Sequence, residues 1–302
     1  MKLLKNVVSR FTSDDCSTMA AALAYYTIFA LPPLLYLLLT IVTYTMVLAY
    51  DMDQAGDKAR ELISTQAGDI IGNEKVAEEI TKILQRNHEQ GGAWWKSIIS
   101  LVGILFGATG VVAAVQSSLN RVWEVQPDPD AGSVKQFIVK RFLSLTMILG
   151  LGFLLLVSMV VSTALAIVGA SVGNWLGIEQ TIVAAINYGV TFLVTLVVFA
   201  ALFKFMPDAK IAWKDVWMGA FVTAVLFSIG RYAMGLYFAN MNIGAQLGSA
   251  AASLVVLLVW IYYTSMIFLF GAEFTQAWSH KRGRGIEPEE GAVRVEQTIV
   301  RS

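Results

Sequence analysis

Six long apolar runs recur along the chain, and shorter polar segments separate them. Lipid offers the backbone no hydrogen-bond partners, so a run of about 20 apolar residues is predicted to cross a membrane as an α-helix. A soluble protein with six buried helices would need polar helix faces, which these runs lack. The pattern predicts an all-α integral membrane protein with six transmembrane helices, at about residues 22–49, 97–119, 142–170, 182–203, 216–238 and 250–277.

The basic residues predict the orientation of these helices. They concentrate before the first run, between the second and third, between the fourth and fifth, and after the sixth. The loops 171–181 and 239–249 contain no Lys or Arg. Because Lys and Arg are enriched on the cytoplasmic side, both termini are predicted to be cytoplasmic. Most of the tryptophans fall at the ends of the runs, which agrees with this placement.

Three segments are predicted to lie outside the bilayer. Residues 1–16 place apolar and basic side chains on opposite arcs of a helix, which predicts an interfacial amphipathic helix with its apolar side in the acyl chains. An alternative is that it serves only to orient the protein. Residues 50–93 read as an acidic periplasmic helical hairpin. The membrane domain then covers 1–280, and the charged segment 281–302 is predicted to be a disordered cytoplasmic tail.

Composition narrows the possible chemistry. Of 302 residues 56% are hydrophobic and only 15% are charged, against about a quarter charged in soluble domains. The net charge of zero gives no general attraction to nucleic acid. With one cysteine, Cys16, and two histidines, His88 and His280, no metal motif is recognisable, and no metal or other cofactor is expected.

Two charged residues, Arg231 and Glu273, fall inside predicted spans, where an ionisable group suggests a functional site. Arg231 could hold an anionic headgroup through its guanidinium, or it could have an internal carbonyl or carboxylate as partner. For Glu273 we favour an ion pair with Lys204 or Arg141, which lie at a similar depth. The alternative for Glu273 is proton coupling.

Proline and glycine mark two structural positions. Pro32 and Pro33 fall a third of the way into the first span and are predicted to bend it, because proline removes backbone donors. Gly248 lies in the polar, uncharged segment between the last two spans. That segment is predicted to form a tight outer turn, or else part of an outward-facing cavity.

Several stretches together resemble one family. Residues 22–33, with Tyr25 and Tyr26 before Pro32 and Pro33, resemble the signature that opens the YihY/BrkB family of bacterial inner-membrane proteins, once labelled ribonuclease BN-like. The resemblance continues in order at 119–123 with Asn120 and Arg121, at Arg141 with 152–158, at 207–220, and from Gly248 through 260–262 to Glu273. Ala30 and Leu247 depart from the pattern, where serine and tyrosine are common.

The resemblance implies six membrane helices and an inner-membrane location. It adds Tyr25, Tyr26, Asn120 and Arg121 to Arg231 and Glu273 as candidate substrate-binding residues. Members of the family have been called ribonucleases, virulence factors and candidates for moving lipids. Phosphodiester cleavage would need clustered carboxylates and histidines. Here the acids cluster in the outer hairpin, so we reject the ribonuclease interpretation.

Three classes of function remain. We favour a transporter or flippase of a lipid or other hydrophobic or anionic amphiphile, because the predicted spans hold few polar residues to line a pore for ions or sugars. The alternative is a non-transporting scaffold or envelope assembly factor. An intramembrane enzyme ranks last, since no nucleophile–base pair is evident. The expected partners are membrane lipids or an amphiphilic substrate, and nucleic acid is not one.

Overall fold

The computed structural model describes residues 2–30, 58, 61, 110–129, 180–240 and 250–295. This part of the chain is mostly helical. Its helices are α1 (Lys2–Ser13), α2 (Cys16–Ala30), α3 (110–122), α4 (Gln180–Phe205), α5 (Trp213–Asn240) and α6 (Ala250–Lys281).

Three of these helices contain apolar stretches long enough to cross a membrane, namely Tyr188–Phe205, Trp213–Leu236 and Leu254–Lys281. They coincide with the fourth, fifth and sixth apolar runs. The third predicted span, most of the first two, and the positions Pro32, Pro33, Arg141 and Gly248 lie outside the described residues. Of the predicted hairpin 50–93 only Lys58 and Glu61 are described, both helical and joined by a 2.6 Å ion pair.

The strands are short and pair in two antiparallel ladders. β1 (Val125–Pro127) pairs with β4 (Ala292–Arg294), with Val125 opposite Arg294. β2 (Ala209–Lys210) pairs with β3 (Glu287–Pro288), with Ala209 opposite Pro288. The C-terminal segment therefore connects the residues after α3 with the loop between α4 and α5.

The prediction of a disordered tail is wrong for these strand residues. Backbone pairing orders them although the composition is charged, and Gly283, Gly285 and Gly291 supply the positive φ angles at which the chain turns. An ion pair of 2.9 Å between Arg284 and the fully buried Asp215 fixes the segment to the start of α5. Residues 296–302 lie outside the described part.

The chain divides into two compact units. The first comprises Met1–Cys16, Val115–Leu226 and Ile267–Ser302, and the second comprises Ser17–Ala114 and Phe227–Met266. In the first, Phe199, Phe203 and Phe268 stack with ring centroids 5.3–6.5 Å apart. In the second, Leu257 and Trp260 form a core with partly buried side chains, which are Phe227, Met234, Val256 and Ile261.

The N-terminal helix α1 is present as predicted, but only part of its apolar side packs against protein. Val7 is fully buried against Phe274 and Ala277 of α6, and the Phe11 ring lies 6.1 Å from that of Phe270. Leu4 and Val8 are 56% and 55% exposed. Burying the whole apolar arc in acyl chains was thus the wrong expectation, because α6 offers Val7 and Phe11 an apolar protein surface.

Candidate functional site

The site begins at a close crossing of α5 and α6 within the first unit. Each helix carries the pattern Gly-Ala-x-x-Thr, at 219–223 in α5 and 271–275 in α6. A Cβ atom on Gly219 would overlap the Thr275 side chain, and one on Gly271 would overlap Thr223. The contacts are reciprocal and antiparallel, so each glycine admits the threonine of the other helix, as small residues do in membrane helix pairs.

The threonine hydroxyls are satisfied within their own helices. Thr223 Oγ1 donates to the Gly219 carbonyl and Thr275 Oγ1 to the Gly271 carbonyl, both at 2.8 Å. Such a bond to the carbonyl four residues earlier removes the cost of burying a hydroxyl. The crossing therefore brings two helices together without leaving either hydroxyl unpaired.

Glu273 lies within the α6 motif and is the centre of the site. Its side chain has no exposed surface. The Cys16 thiol donates to Glu273 Oε1, with Sγ and Oε1 3.6 Å apart. The charges of Asp14 and Arg10 lie close enough to act on Glu273. We call these four residues, Arg10, Asp14, Cys16 and Glu273, the Glu273 site.

A turn between α1 and α2 positions two of these residues. α1 ends with the Asp14 N–H donating to the Arg10 carbonyl at 2.9 Å, and Asp15 takes a positive φ of 55°. Aspartate tolerates that conformation better than most residues. α1 thus ends before α2 begins at Cys16, and the Cys16 thiol reaches Glu273 of α6.

Arg10 connects the site to the strands. Its Nη2 atom donates to Glu124 Oε1 at 3.3 Å, and Glu124 Oε2 also faces Arg294 of β4 at 3.9 Å. The Val295 N–H donates to the Glu124 carbonyl at 2.8 Å. Arg10 Nη1 and Glu273 Oε2 are both buried and have no hydrogen-bond partner in the described part of the chain.

Burial raises the pKa of the Cys16 thiol, and the acidic groups Glu273 and Asp14 raise it further. Since the thiolate is the nucleophilic form, the site keeps Cys16 as a hydrogen-bond donor and not as a nucleophile. Within the described ranges, His, Cys, Asp and Glu side chains do not gather in threes that could hold a metal ion.

The predicted ion pair between Glu273 and Lys204 is wrong. Lys204 Nζ instead donates to the Ile211 carbonyl at 2.7 Å and lies 5.8 Å from the centroid of the Trp213 ring. Lys204 lies in the last turn of α4, where the carbonyls of the following turn are within its reach. The alternative partner Arg141 lies outside the described residues.

Asn120 and Arg121 belong to the same unit as Glu273 but have other contacts. Asn120 is buried and exchanges two hydrogen bonds with Asp208, giving one to Asp208 Oδ2 at 2.8 Å and accepting one from the Asp208 N–H at 2.9 Å. Arg121 forms an exposed ion pair of 3.6 Å with Asp15. Asn120 thus joins α3 to the loop after α4, and Arg121 joins α3 to the turn before α2.

The remaining candidates lie in the second unit. Arg231 is partly buried on α5 and takes part in contacts there. Tyr25 and Tyr26 are 57% and 46% exposed, with ring centroids 5.8 Å apart and the rings edge to face. The sequence reasoning missed Arg10, Asp14 and Cys16. The repeated Gly-Ala-x-x-Thr pattern was visible in the sequence and could have identified the helix crossing.

Comparison with known proteins identifies the family. The profile described as virulence factor BrkB matches residues 7–295. The chain belongs to the BrkB family. The ribonuclease-like protein YfkH of Bacillus subtilis is 26% identical over 286 residues, covering 93% of this chain and 96% of the relative. No solved structure matches the chain.

Two further relatives of this BrkB-family protein are called UPF0761 membrane proteins. That of Alkalilimnicola ehrlichii is 26% identical over 90% of this chain, which spans only 57% of the relative's length. That of Alteromonas mediterranea is 26% identical over 89% of this chain and 84% of the relative. The family and its apolar helices make this a membrane protein. The ribonuclease-like name belongs to YfkH and is no positive evidence of catalysis by this protein.

Proposed function

We propose that this protein is a transporter or flippase that moves a lipid, or another hydrophobic or anionic amphiphile, across the bacterial inner membrane in envelope maintenance. The observation that carries the proposal is Glu273, which is fully buried within an apolar helix long enough to cross a bilayer. An ionisable group there is costly, and such groups commonly belong to substrate or ion pathways. Among the described residues its Oε2 atom has no hydrogen-bond partner, which adds to that cost.

The proposed topology has six transmembrane helices with both termini cytoplasmic and residues 50–93 in the periplasm. The three apolar helices of the structure and the distribution of basic residues support it. Reporter fusions test it. A fluorescent protein that matures only in the cytoplasm should be active at the C-terminus, and a phosphatase that folds only in the periplasm should be active when inserted within 50–93. The opposite pattern would contradict the topology.

An amphiphile fits better than a small hydrophilic solute. α4, α5 and α6 expose large apolar side chains, among them Tyr188, Phe221 and Val255. We propose Arg231 as the contact for an anionic group, with Tyr25 and Tyr26 as aromatic surface for an acyl or ring portion. Arg231→Lys keeps the charge but loses the bidentate fork, whereas Arg231→Met loses both. Transport should fall in both, and further in the second.

Reconstitution tests the function directly. Purified protein in vesicles carrying a fluorescent lipid in one leaflet should raise leaflet exchange above that of protein-free vesicles. The panel should include zwitterionic lipids, anionic lipids and anionic glycolipids. Vesicles containing Glu273→Ala protein, checked to be folded, serve as the matched control. If the wild-type protein speeds exchange of no lipid in the panel, the transport proposal fails.

One observation favours the alternative, a scaffold or envelope assembly factor. Residues 282–295 are ordered, because the strands β3 and β4 within them pair with β2 and β1. They therefore present a surface of the kind that a partner protein could bind. Removing Arg284, whose ion pair with Asp215 fixes this segment, separates the two functions. A scaffold should lose its partner in Arg284→Ala, whereas a transporter should retain lipid exchange.

A further inference from the structure

Exposed aromatic side chains line the start of α5. Trp213, Trp217 and Phe221 follow one another at intervals of four residues, so they lie along one side of the helix. Each of them is nearly half exposed. The ring of Phe205, the last residue of α4, lies edge-on to that of Trp213 with 5.8 Å between their centroids. The Trp213 and Trp217 centroids are 6.4 Å apart. We call these four residues the aromatic stripe.

The aromatic stripe begins where two apolar helices adjoin. The apolar stretch of α4 ends at Phe205, and that of α5 begins at Trp213. Because both stretches are long enough to cross a bilayer, their adjoining ends lie at one membrane surface. Phe221 is eight residues further along α5, which is about 12 Å at 1.5 Å per residue. The stripe therefore runs from the level of the headgroups toward the acyl chains.

Two lysines lie beside the headgroup end of the stripe. Lys204 Nζ donates to the Ile211 carbonyl at 2.7 Å and lies 5.8 Å from the centroid of the Trp213 ring. An ammonium has three N–H donors, so Lys204 can bind a further acceptor without giving up the bond to Ile211. Lys214 is exposed and stands three residues before Trp217, so the two are neighbours on the helix surface. The hydrogen bond to Ile211 holds one of these charges in place before any ligand arrives.

The acidic residues of segment 204–221 are bonded to other elements. Asp208 is buried and accepts hydrogen bonds from Asn120 and Gln116 of α3. Asp215 is fully buried and forms the 2.9 Å ion pair with Arg284. Because both carboxylates are buried in these contacts, the charge that this segment exposes beside the stripe is positive. That charge is complementary to an anionic headgroup.

We propose that this surface binds one anionic phospholipid, with its phosphate on Lys204 and Lys214 and an acyl chain along the aromatic stripe. A phospholipid joins a phosphate to an acyl chain, which matches the order of lysines and rings along α5. A zwitterionic headgroup brings its own cation, which the lysines repel, so an anionic lipid is favoured. Binding at this site does not depend on the transport function proposed above, because the lipid can be held here whether or not it is moved.

Native mass spectrometry of the purified, delipidated full-length protein tests the choice of lipid. Phosphatidylglycerol, which is anionic, and phosphatidylcholine, which is zwitterionic and carries the same acyl chains, are titrated separately. Phosphatidylglycerol should form a one-lipid complex at the lower concentration. Equal binding of the two lipids would indicate ordinary bilayer contact and overturn the proposal. A protein dimer that binds no lipid and separates in Trp217→Ala would assign the stripe to a second copy of the chain instead.

Lysine substitutions locate the phosphate. Lys204→Met and Lys214→Met should each weaken phosphatidylglycerol binding by about fivefold, the contribution of one basic residue at an anionic lipid surface. Lys204→Met also removes the bond to Ile211, whereas Lys214→Met leaves it in place and so remains informative if the first variant misfolds.

Lys210→Met is the matched control. Lys210 is exposed in the same loop, but it lies opposite Glu287 in the β2–β3 ladder, so its loss should change the affinity much less. Unchanged affinity in folded Lys214→Met, or an equal loss in Lys210→Met, would show that the lysines beside the stripe do not hold the phosphate.

Fluorescence quenching tests the position of the acyl chain. Phosphatidylglycerol brominated on its acyl chains, added at one lipid per protein, quenches the tryptophans that it contacts. Trp213→Phe and Trp217→Phe keep an aromatic ring, and each should reduce the amount of fluorescence that is quenched. Trp123→Phe is the control and should leave that amount unchanged, because Trp123 is buried. If both stripe variants are quenched as much as the wild-type protein, the acyl chain lies elsewhere and the proposed site is wrong.

Discussion

Two five-residue segments, Gly219–Thr223 of α5 and Gly271–Thr275 of α6, share one sequence pattern and contact each other reciprocally. They differ at the third position. In α5 this is Phe221, which is 49% exposed and touches Phe192 at 6.0 Å between ring centroids. In α6 it is Glu273, which is fully buried and bonded to Cys16.

The difference comes from what covers each helix. α1 and the first residue of α2 lie over α6, where Val7 packs on Phe274 and Cys16 reaches Glu273. At Phe221 the same motif is half exposed, with Phe192 of α4 beside it. Helix crossing alone therefore does not create the polar site. It arises because a third element covers one of the two equivalent faces and brings its own polar groups.

The largest expected effect tests whether the crossing is symmetric. Gly219→Val and Gly271→Val should each destabilise the protein by about 3 kcal/mol or more, because the new side chain must displace the facing threonine and separate the helices. Thermal unfolding in detergent measures the loss. Gly189→Val is the control, since a Cβ there would meet no atom within 4 Å among the described residues beyond its own stretch of helix backbone. A large loss at one glycine and none at the other would show that the contact is not reciprocal.

The next largest loss of stability compares the third residues of the two motifs, Phe221 and Glu273, directly. Glu273→Ala should destabilise the protein by about 2–4 kcal/mol, because it leaves a cavity and removes the hydrogen-bond partner of Cys16. Phe221→Ala removes a larger side chain, yet it should cost only about 1 kcal/mol because that side chain is half exposed. The same detergent unfolding measurement applies. If Phe221→Ala proves the more destabilising, residue size outweighs burial at these two positions, contrary to the expectation.

A smaller effect tests the packing of α1 on α6. Val7→Ala should destabilise by about 1–2 kcal/mol, since Val7 is fully buried against α6. Val8→Ala is the matched control on the same helix and should change stability by less than about 0.5 kcal/mol, because Val8 is 55% exposed. Equal effects at the two positions would mean that α1 does not rest on α6 as the structure shows.

Much of the fold could be predicted because membrane helices are encoded locally. The apolar runs that become α4, α5 and α6 are recognisable without knowledge of their neighbours, since each satisfies its own backbone hydrogen bonds. The charge of Glu273 in an apolar run likewise identified it as a candidate. These predictions need only the composition of one segment.

The partners of Glu273 could not be predicted in this way. Cys16 lies 257 residues away in sequence, and its contact depends on the turn at Asp14 and Asp15. Lys204 was predicted as the partner of Glu273 because the two lie at a similar depth along their spans. Depth alone does not specify which face of a helix a neighbour presents. The prediction of a disordered tail was wrong for a related reason. Its charged composition is typical of disorder, whereas the pairing of its backbone with β1 and β2 depends on strand partners far away in the chain.

The smallest expected effect concerns the Cys16 thiol, which joins the start of α2 to Glu273 of α6. Since burial is the first cause that raises the pKa of Cys16 and the acidic groups come second, maleimide should label it slowly at about pH 8. Glu273→Gln removes one acidic group and should speed labelling modestly, while burial continues to limit it. Cys16 is the single cysteine of the chain, so the label reports on this site alone. Fast labelling of the wild-type protein would show that the cover opens readily; labelling in Glu273→Gln as slow as in the wild type would show that the carboxyl does not act on the thiol. Val8→Ala provides the baseline, because it alters the exposed side of α1 without touching Cys16 or Glu273.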